Sequence, residues 1–215
     1  MTTPVKGPLF ISFEGIDGSG KSTQARLLAE ELRAQGADVV LTREPGGSVG
    51  AEEIRALVLN GDPGRWSAET EILLFTAARR DHLERTIWPA LAEGKIVICD
   101  RFADSTRMYQ GATRGDLRAT VDQLHALMIG VEPDMTVIVD MDAERALSRG
   151  LARKGAEQRF EDMGLAMQET LRAGFLALAK DNPARCTLID GDRPLGDVAS
   201  DIRAAVMAKL ASVAP

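Results

Sequence analysis

An apolar run, Leu9-Phe-Ile-Ser-Phe13, opens onto Gly15-Ile-Asp-Gly-Ser-Gly-Lys-Ser22, and that junction leaves the chain few folds to adopt. The segment fits G-x-x-x-x-G-K-[ST], a loop that joins a buried strand to a helix and wraps its backbone around an oligophosphate. Gly15, Gly18 and Gly20 let successive N–H groups turn inward at a helix N-terminus, with Ile16, Asp17 and Ser19 between them. Lys21 can reach the β- and γ-phosphates, and Ser22 offers a hydroxyl to Mg²⁺ with Thr23 beside it. Ala25, Leu28, Ala29 and Leu32 then recur at helical spacing. Residues 15–23 are therefore expected to hold a nucleoside triphosphate.

Four further apolar runs follow, Val39–Leu41, Ile96–Cys99, Thr136–Val139 and Thr187–Ile189. They are nearly continuous rather than alternating, as strands covered on both faces must be. Helical patterns separate them at 21–35, 51–60, about 67–92, 117–129, 142–152, about 162–181 and 195–212. The alternation predicts a single α/β domain over 1–215, a three-layer sandwich with a five-stranded parallel sheet between helices. Ligands then bind at the carboxyl ends of the strands. Gly150–Gln158, rich in Arg, Lys, Ala and Gly, breaks the pattern and reads as a short basic lid within about 149–160, or as a plain helix connection.

Charge and cysteine usage narrow the function. A net charge of −6 argues against a nucleic-acid-coating surface. Cys99 and Cys186 sit in or beside apolar runs and read as reduced core residues. The first residues lack the basic-then-apolar pattern of a signal peptide, and no apolar run nears the ~20 residues that span a bilayer. A soluble, cytoplasmic protein that binds neither membrane nor nucleic acid is expected.

A phosphate loop alone does not tell a kinase from a switch or a motor. Thr42-Arg-Glu-Pro-Gly-Gly47 follows the second strand, and Asp100-Arg101-Phe-Ala-Asp-Ser105 with Tyr109-Gln110-Gly111 follows the third. Arg43 and Arg101, at adjacent strand ends, could grip one phosphate by forked hydrogen bonds, or form structural salt bridges. Asp17 and Asp100 would lie near Mg²⁺ and the acceptor. A second phosphorylated molecule is expected beside the first. A GTPase-like switch would usually carry N/T-K-x-D, which the sequence lacks.

These motifs, with Leu74-Phe-Thr-Ala-Ala-Arg79 and Arg159-Phe-Glu161, resemble those of the thymidylate kinases over nearly the whole length. The resemblance implies transfer of a phosphoryl group from ATP to dTMP with Mg²⁺, in a homodimer. It makes Phe75 the ring that stacks on thymine, although Phe in an apolar helix is more often core. Arg79 resembles the arginine that reads a thymine carbonyl, and Ser105 and Gln110 resemble polar contacts to the base edge. Arg43 and Arg101 would hold the dTMP phosphate. Asp17 would sit near the acceptor sugar, and Asp100 would hold Mg²⁺ through water. Tyr109 would fill the space of a ribose 2′-OH, and Asp190–Pro194 would pack on adenine. Two positions depart from the pattern. Gly18 stands where some members have an arginine, so a lid cation is expected instead, Arg153 first, then Arg149 or Arg159. Phe102 replaces the usual Tyr or His after Asp-Arg. A related kinase with another acceptor is the nearest competing reading.

Overall fold

All five runs become strands of one parallel sheet: β1 (Leu9–Glu14), β2 (Val39–Arg43), β3 (Ile96–Asp100), β4 (Met135–Asp140) and β5 (Cys186–Asp190). The computed structural model describes residues 7–61, 64–113, 115–152 and 164–213. Strand order is β2-β3-β1-β4-β5, so the chain moves out to one edge, returns, then builds the other. The reversal falls at β1, between β3 and β4, where the sheet leaves a crevice at its carboxyl end. Register places Phe13, Asp100 and Arg43 in one row, so three strands end level and deliver their next residues to one place.

The two sheet faces bury different sets. Leu9, Ile11 and Phe13 point to α1 (Lys21–Ala34) and α9 (Leu195–Val213), packing on Leu28, Ala29, Leu32, Val198, Ile202 and Val206. Phe10, Val97 and Cys99 point the other way, onto Leu83 and Ile87. Ile138 packs on Leu171 and Phe175 of α8 (Gly164–Asp181). Each such large side chain contributes about 1.5–3 kcal/mol on burial. Ser12 and Glu14 share the second face of β1, and Ser12 is satisfied by Thr136, hydroxyl to hydroxyl at 2.8 Å.

The remaining helices are α2 (Val49–Leu59), α3 (Ala68–His82), α4 (Trp88–Ala92), α5 (Ala103–Thr106), α6 (Arg118–Met128) and α7 (Ala143–Leu151). Ser67 caps α3 by accepting from the Thr70 N–H at 3.2 Å, and Asp142 caps α7 through the Arg145 N–H at 3.1 Å. The stretch expected as one helix over 67–92 is interrupted by a π-helical turn at Leu83–Ile87. The α5 helix, running into a π-helical segment at Arg107–Ala112, was not expected from the pattern. Its polar residues are inside: Asp104, Thr106, Arg107 and Gln110 are all buried. Both cysteines are free and buried. Among the described residues no helix is long and apolar enough to cross a membrane.

Candidate active site

At the start of α1 the chain turns through Gly20 at φ 95°, which supplies no capping side chain to the first-turn N–H groups. Lys21 lies back over the loop, its ammonium 3.3 Å from the Ile16 carbonyl and 3.4 Å from Asp17 Oδ1. Burial, with Arg101 nearby, lowers its pKa, while Asp17, Asp100 and Glu14 pull it back up. Ser22 is exposed on the same rim. One carboxylate oxygen of Asp100 is buried without a hydrogen-bond partner among the described residues. An exposed hydroxyl and an orphaned carboxylate oxygen beside a phosphate loop are a donor set that fits a hard dication with water ligands.

Gly18 explains one departure from the family pattern. Its φ is 87°, and any Cβ there would lie 1.9 Å from the Ala146 carbonyl of α7. The loop is thus pressed against α7, and no side chain fits. One turn further along α7, Arg149 brings a guanidinium nitrogen to 3.6 Å from where a Gly20 Cβ would stand. The helix that excludes a loop arginine supplies one itself. Arg153 and Arg159 lie outside the described residues, as does most of the expected lid. Asp190–Pro194 docks on the same side: Gly191 donates to the Asp140 carbonyl at 2.7 Å, and Gln24 of α1 donates to the Leu195 carbonyl at 3.1 Å.

Two adjoining clefts meet at the strand ends. One is lined by Gly18, Gly20, Lys21, Ser22, Arg43 and Asp100. The other contains Phe75, Arg79, Phe102, Ser105, Tyr109 and Gln110. Asp17, Glu44, Arg55 and Arg101 line both. Arg101 is the hinge between them. Its guanidinium donates to Asp17, to Ser105 Oγ at 2.8 Å and to the Gly15 carbonyl at 3.3 Å, and stacks 5.0 Å over the Tyr109 ring. Tyr109 donates its hydroxyl hydrogen to Asp17 Oδ2 at 2.7 Å. Burial opposes the charge of Asp17, but Arg101, Lys21 and these hydrogen bonds outweigh it and hold the carboxyl well below the usual range.

The far wall is equally fixed. Arg79 donates from Nε to Glu44 at 2.7 Å and from Nη2 to Thr106 Oγ1 at 3.0 Å, and lies 5.0 Å over the Phe102 ring. Phe102 is therefore a platform in this chain, held edge-on by Phe10. Gln110 donates to Glu71 at 3.4 Å, so its amide oxygen is the end left for other donors. The Ser105 hydroxyl, expected at the base edge, is engaged between Arg101 and Glu14, and Thr106 beside it reaches Arg79. Glu44, His82 and Cys99 lie within 4.8 Å of one another, close enough to share an ion. His82 and Glu44 instead bond to each other, while the Cys99 thiol donates to the Arg101 carbonyl at 3.0 Å. His82 meets Glu44 at 3.1 Å and Thr42 at 2.8 Å, and burial pushes the Cys99 thiol well up, against thiolate formation. A dication there would also face Arg79.

Sequence reasoning missed Glu44, Arg55 and Thr106. Glu44 lies inside a motif but carried no assigned role, and Arg55 sits on a helix as any solvated arginine would. Arg43 is exposed and paired with Glu52 at 3.1 Å. Phe75, the expected stacking ring, is 9% exposed at the cleft wall, between core and ligand.

A family model described as Thymidylate kinase matches residues 13–202. The chain is 71% identical over 202 residues to the thymidylate kinase of Ruegeria pomeroyi, covering 94% of this chain and 96% of that one. It is 69% identical to the thymidylate kinase of Dinoroseobacter shibae, with the same coverage. Its fold is similar to the crystal structure of thymidylate kinase from Ehrlichia chaffeensis, with a TM-score of 0.74 at 39% identity, over 94% of this chain and 99% of that one.

Proposed function

The chain belongs to the thymidylate kinase family, and from that membership we propose how its residues divide the work. The protein is a nucleoside monophosphate kinase that moves a phosphoryl group from ATP to dTMP, giving dTDP and ADP for dTTP synthesis. The observation that carries the assignment of residues is the pair of clefts sharing Asp17 and Arg101.

In the acceptor cleft Phe75 stacks on thymine, Arg79 donates to a base carbonyl, and Thr106 and Gln110 meet the base edge. Ser105 stands behind them as support. Tyr109 occupies the space of a 2′-hydroxyl, and Asp17 lies beside the sugar. Arg101 and Arg43 hold the acceptor phosphate, with Arg55 as a third cation from α2. The phosphate needs no general base, because a phosphomonoester with a second pKa near 6 is already a charged nucleophile at pH 7. In the donor cleft residues 15–23 wrap the ATP phosphates and Lys21 neutralises charge on the moving group. Arg149 adds a second cation from α7. Ser22 and Asp100 would hold Mg²⁺, whose charge offsets that developing on the phosphoryl oxygens. Alignment of two bound nucleotides supplies ~7–11 kcal/mol of barrier lowering.

The remaining assignments rest on smaller observations. Leu73, Leu127 and Met128 are exposed on α3 and α6, which Arg80 ties together through the Met128 carbonyl at 3.0 Å. They support a homodimer face, while Ile72, Leu83 and Ile87 serve the core. Free, buried cysteines support a cytoplasmic location. A coupled ADP-release assay with dTMP, dUMP, dCMP and thymidine tests the whole reading. Strong stimulation by dTMP is expected. ATP hydrolysis indifferent to dTMP would overturn it.

A further inference from the structure

Glu14 ends β1 beneath the junction of the two clefts, wholly buried, and lines neither. It cannot meet a substrate directly. Its carboxyl nonetheless takes three hydrogen bonds, one from Phe102 in the turn after β3 and two from Ser105 in α5. Oε1 accepts from the Phe102 N–H at 2.8 Å and the Ser105 N–H at 3.3 Å, and Oε2 accepts from the Ser105 hydroxyl at 2.6 Å. That hydroxyl oxygen accepts in turn from Arg101 Nη1 at 2.8 Å. A carboxylate, a hydroxyl and a guanidinium thus run in line from the interior to the cleft.

The backbone gives the arrangement its purpose. Arg101 has φ 71°, a left-handed conformation that a residue with a side chain keeps only when its surroundings hold it. The Arg101 N–H is fixed to the Phe13 carbonyl at 2.9 Å, and the next N–H along, that of Phe102, belongs to Glu14. Three donors facing two oxygens call for a group that only accepts, which a carboxylate is and an amide is not.

We infer that Glu14 is a positioning residue for the acceptor phosphate. Through the Ser105 hydroxyl and the Arg101–Ser105 turn it sets the direction of the Arg101 guanidinium. This rests on the reading of Arg101 as a phosphate contact. Glu14 acts on the phosphate end of dTMP and leaves the base end to Arg79 and Gln110, which hang from α3 and the segment after α5.

Calorimetry at pH 8 on Glu14→Gln, with dTMP and thymidine as separate ligands, tests it. Affinity for dTMP should fall roughly ten- to a hundredfold, the scale of one charge-assisted hydrogen bond. Affinity for thymidine, which has no phosphate, and KM for ATP should stay within about twofold. Unchanged dTMP affinity, or equal loss for both ligands, overturns the inference. Arg101→Ala is measured alongside. If it fails to weaken dTMP relative to thymidine, the phosphate role of Arg101 is wrong and the inference falls with it. If it does weaken dTMP selectively while Glu14→Gln does not, only the role of Glu14 is wrong. Should Glu14→Gln not fold, Ser105→Ala removes the bridging hydroxyl alone and must show the same selective loss. Its absence there is equally decisive against the inference.

Discussion

Arg79 and Arg101, proposed to face the acceptor, are each gripped from several directions, whereas Ser22 and Arg149, proposed to face the donor, are exposed, Arg149 donating only to the Met141 sulfur at 3.4 Å among the described residues. A charge fixed before the ligand arrives loses little freedom on binding and imposes its own geometry. An exposed charge must be ordered at that moment, with the ligand's help. On the proposed assignment, the base end of the acceptor cleft is therefore where this fold selects, and the rim of the donor cleft, buried Lys21 apart, is where it assembles.

That contrast can be broken by substitution. Lys21→Ala should have the largest effect, lowering turnover about a thousandfold or more while circular dichroism and melting stay near those of the parent. Glu44→Ala should act differently. It strands the buried Arg79 guanidinium and should cost about 3–5 kcal/mol of stability in urea unfolding, with weaker dTMP binding besides. Arg149→Ala should lower kcat about a hundredfold with KM for dTMP and stability both unchanged. If Arg149→Ala destabilises the protein as much as Glu44→Ala does, the two sides are not built differently.

The smallest expected effect is a pH dependence of stability. Burial, with Asp104 adding, raises the Glu14 carboxyl from 4.5 to about 7, against the opposing pull of Arg101, Ser105 and Phe102. The folded protein then holds a proton there that the unfolded chain has released. Stability from this group is fully present below 4.5 and is lost as pH rises through about 7. Glu14→Gln removes the titration, so its stability relative to the parent should shift in its favour by roughly 2 kcal/mol between pH 5 and 7.5. A difference that is flat with pH would show the group titrating normally.

Much of this architecture is legible in the residues, for identifiable reasons. The central strands β1, β3 and β4 are buried on both faces and leave continuous apolar runs, while the partly covered edge strands β2 and β5 still carry short ones, so all five were visible. The α5 helix was not, because Asp104 and Arg107 look like surface residues and are buried only through their pairing at 2.7 Å and with Arg185 and Glu132. The π-helical turn at Leu83–Ile87 changes no apolar spacing that a periodicity count would notice. In the site, motif residues such as Arg79 and Tyr109 were recognisable, but their supports were not. Glu44 meets Arg79 across 35 positions of sequence, and Glu14 meets Ser105 across 91. Partnerships of that kind exist only after the sheet has closed. The choice of Arg153 as the lid cation falls on residues that are not described, and among the described residues α7 brings Arg149 beside the loop.

Tyr109 is the single tyrosine of the chain. Its hydroxyl rests on Asp17 and its ring lies under Arg101. Growth on fluorinated tyrosine would therefore place one ¹⁹F nucleus in the whole protein, at the junction of the two clefts. Filling of either side could be followed in solution from a single resonance, with no engineered label and no altered residue elsewhere.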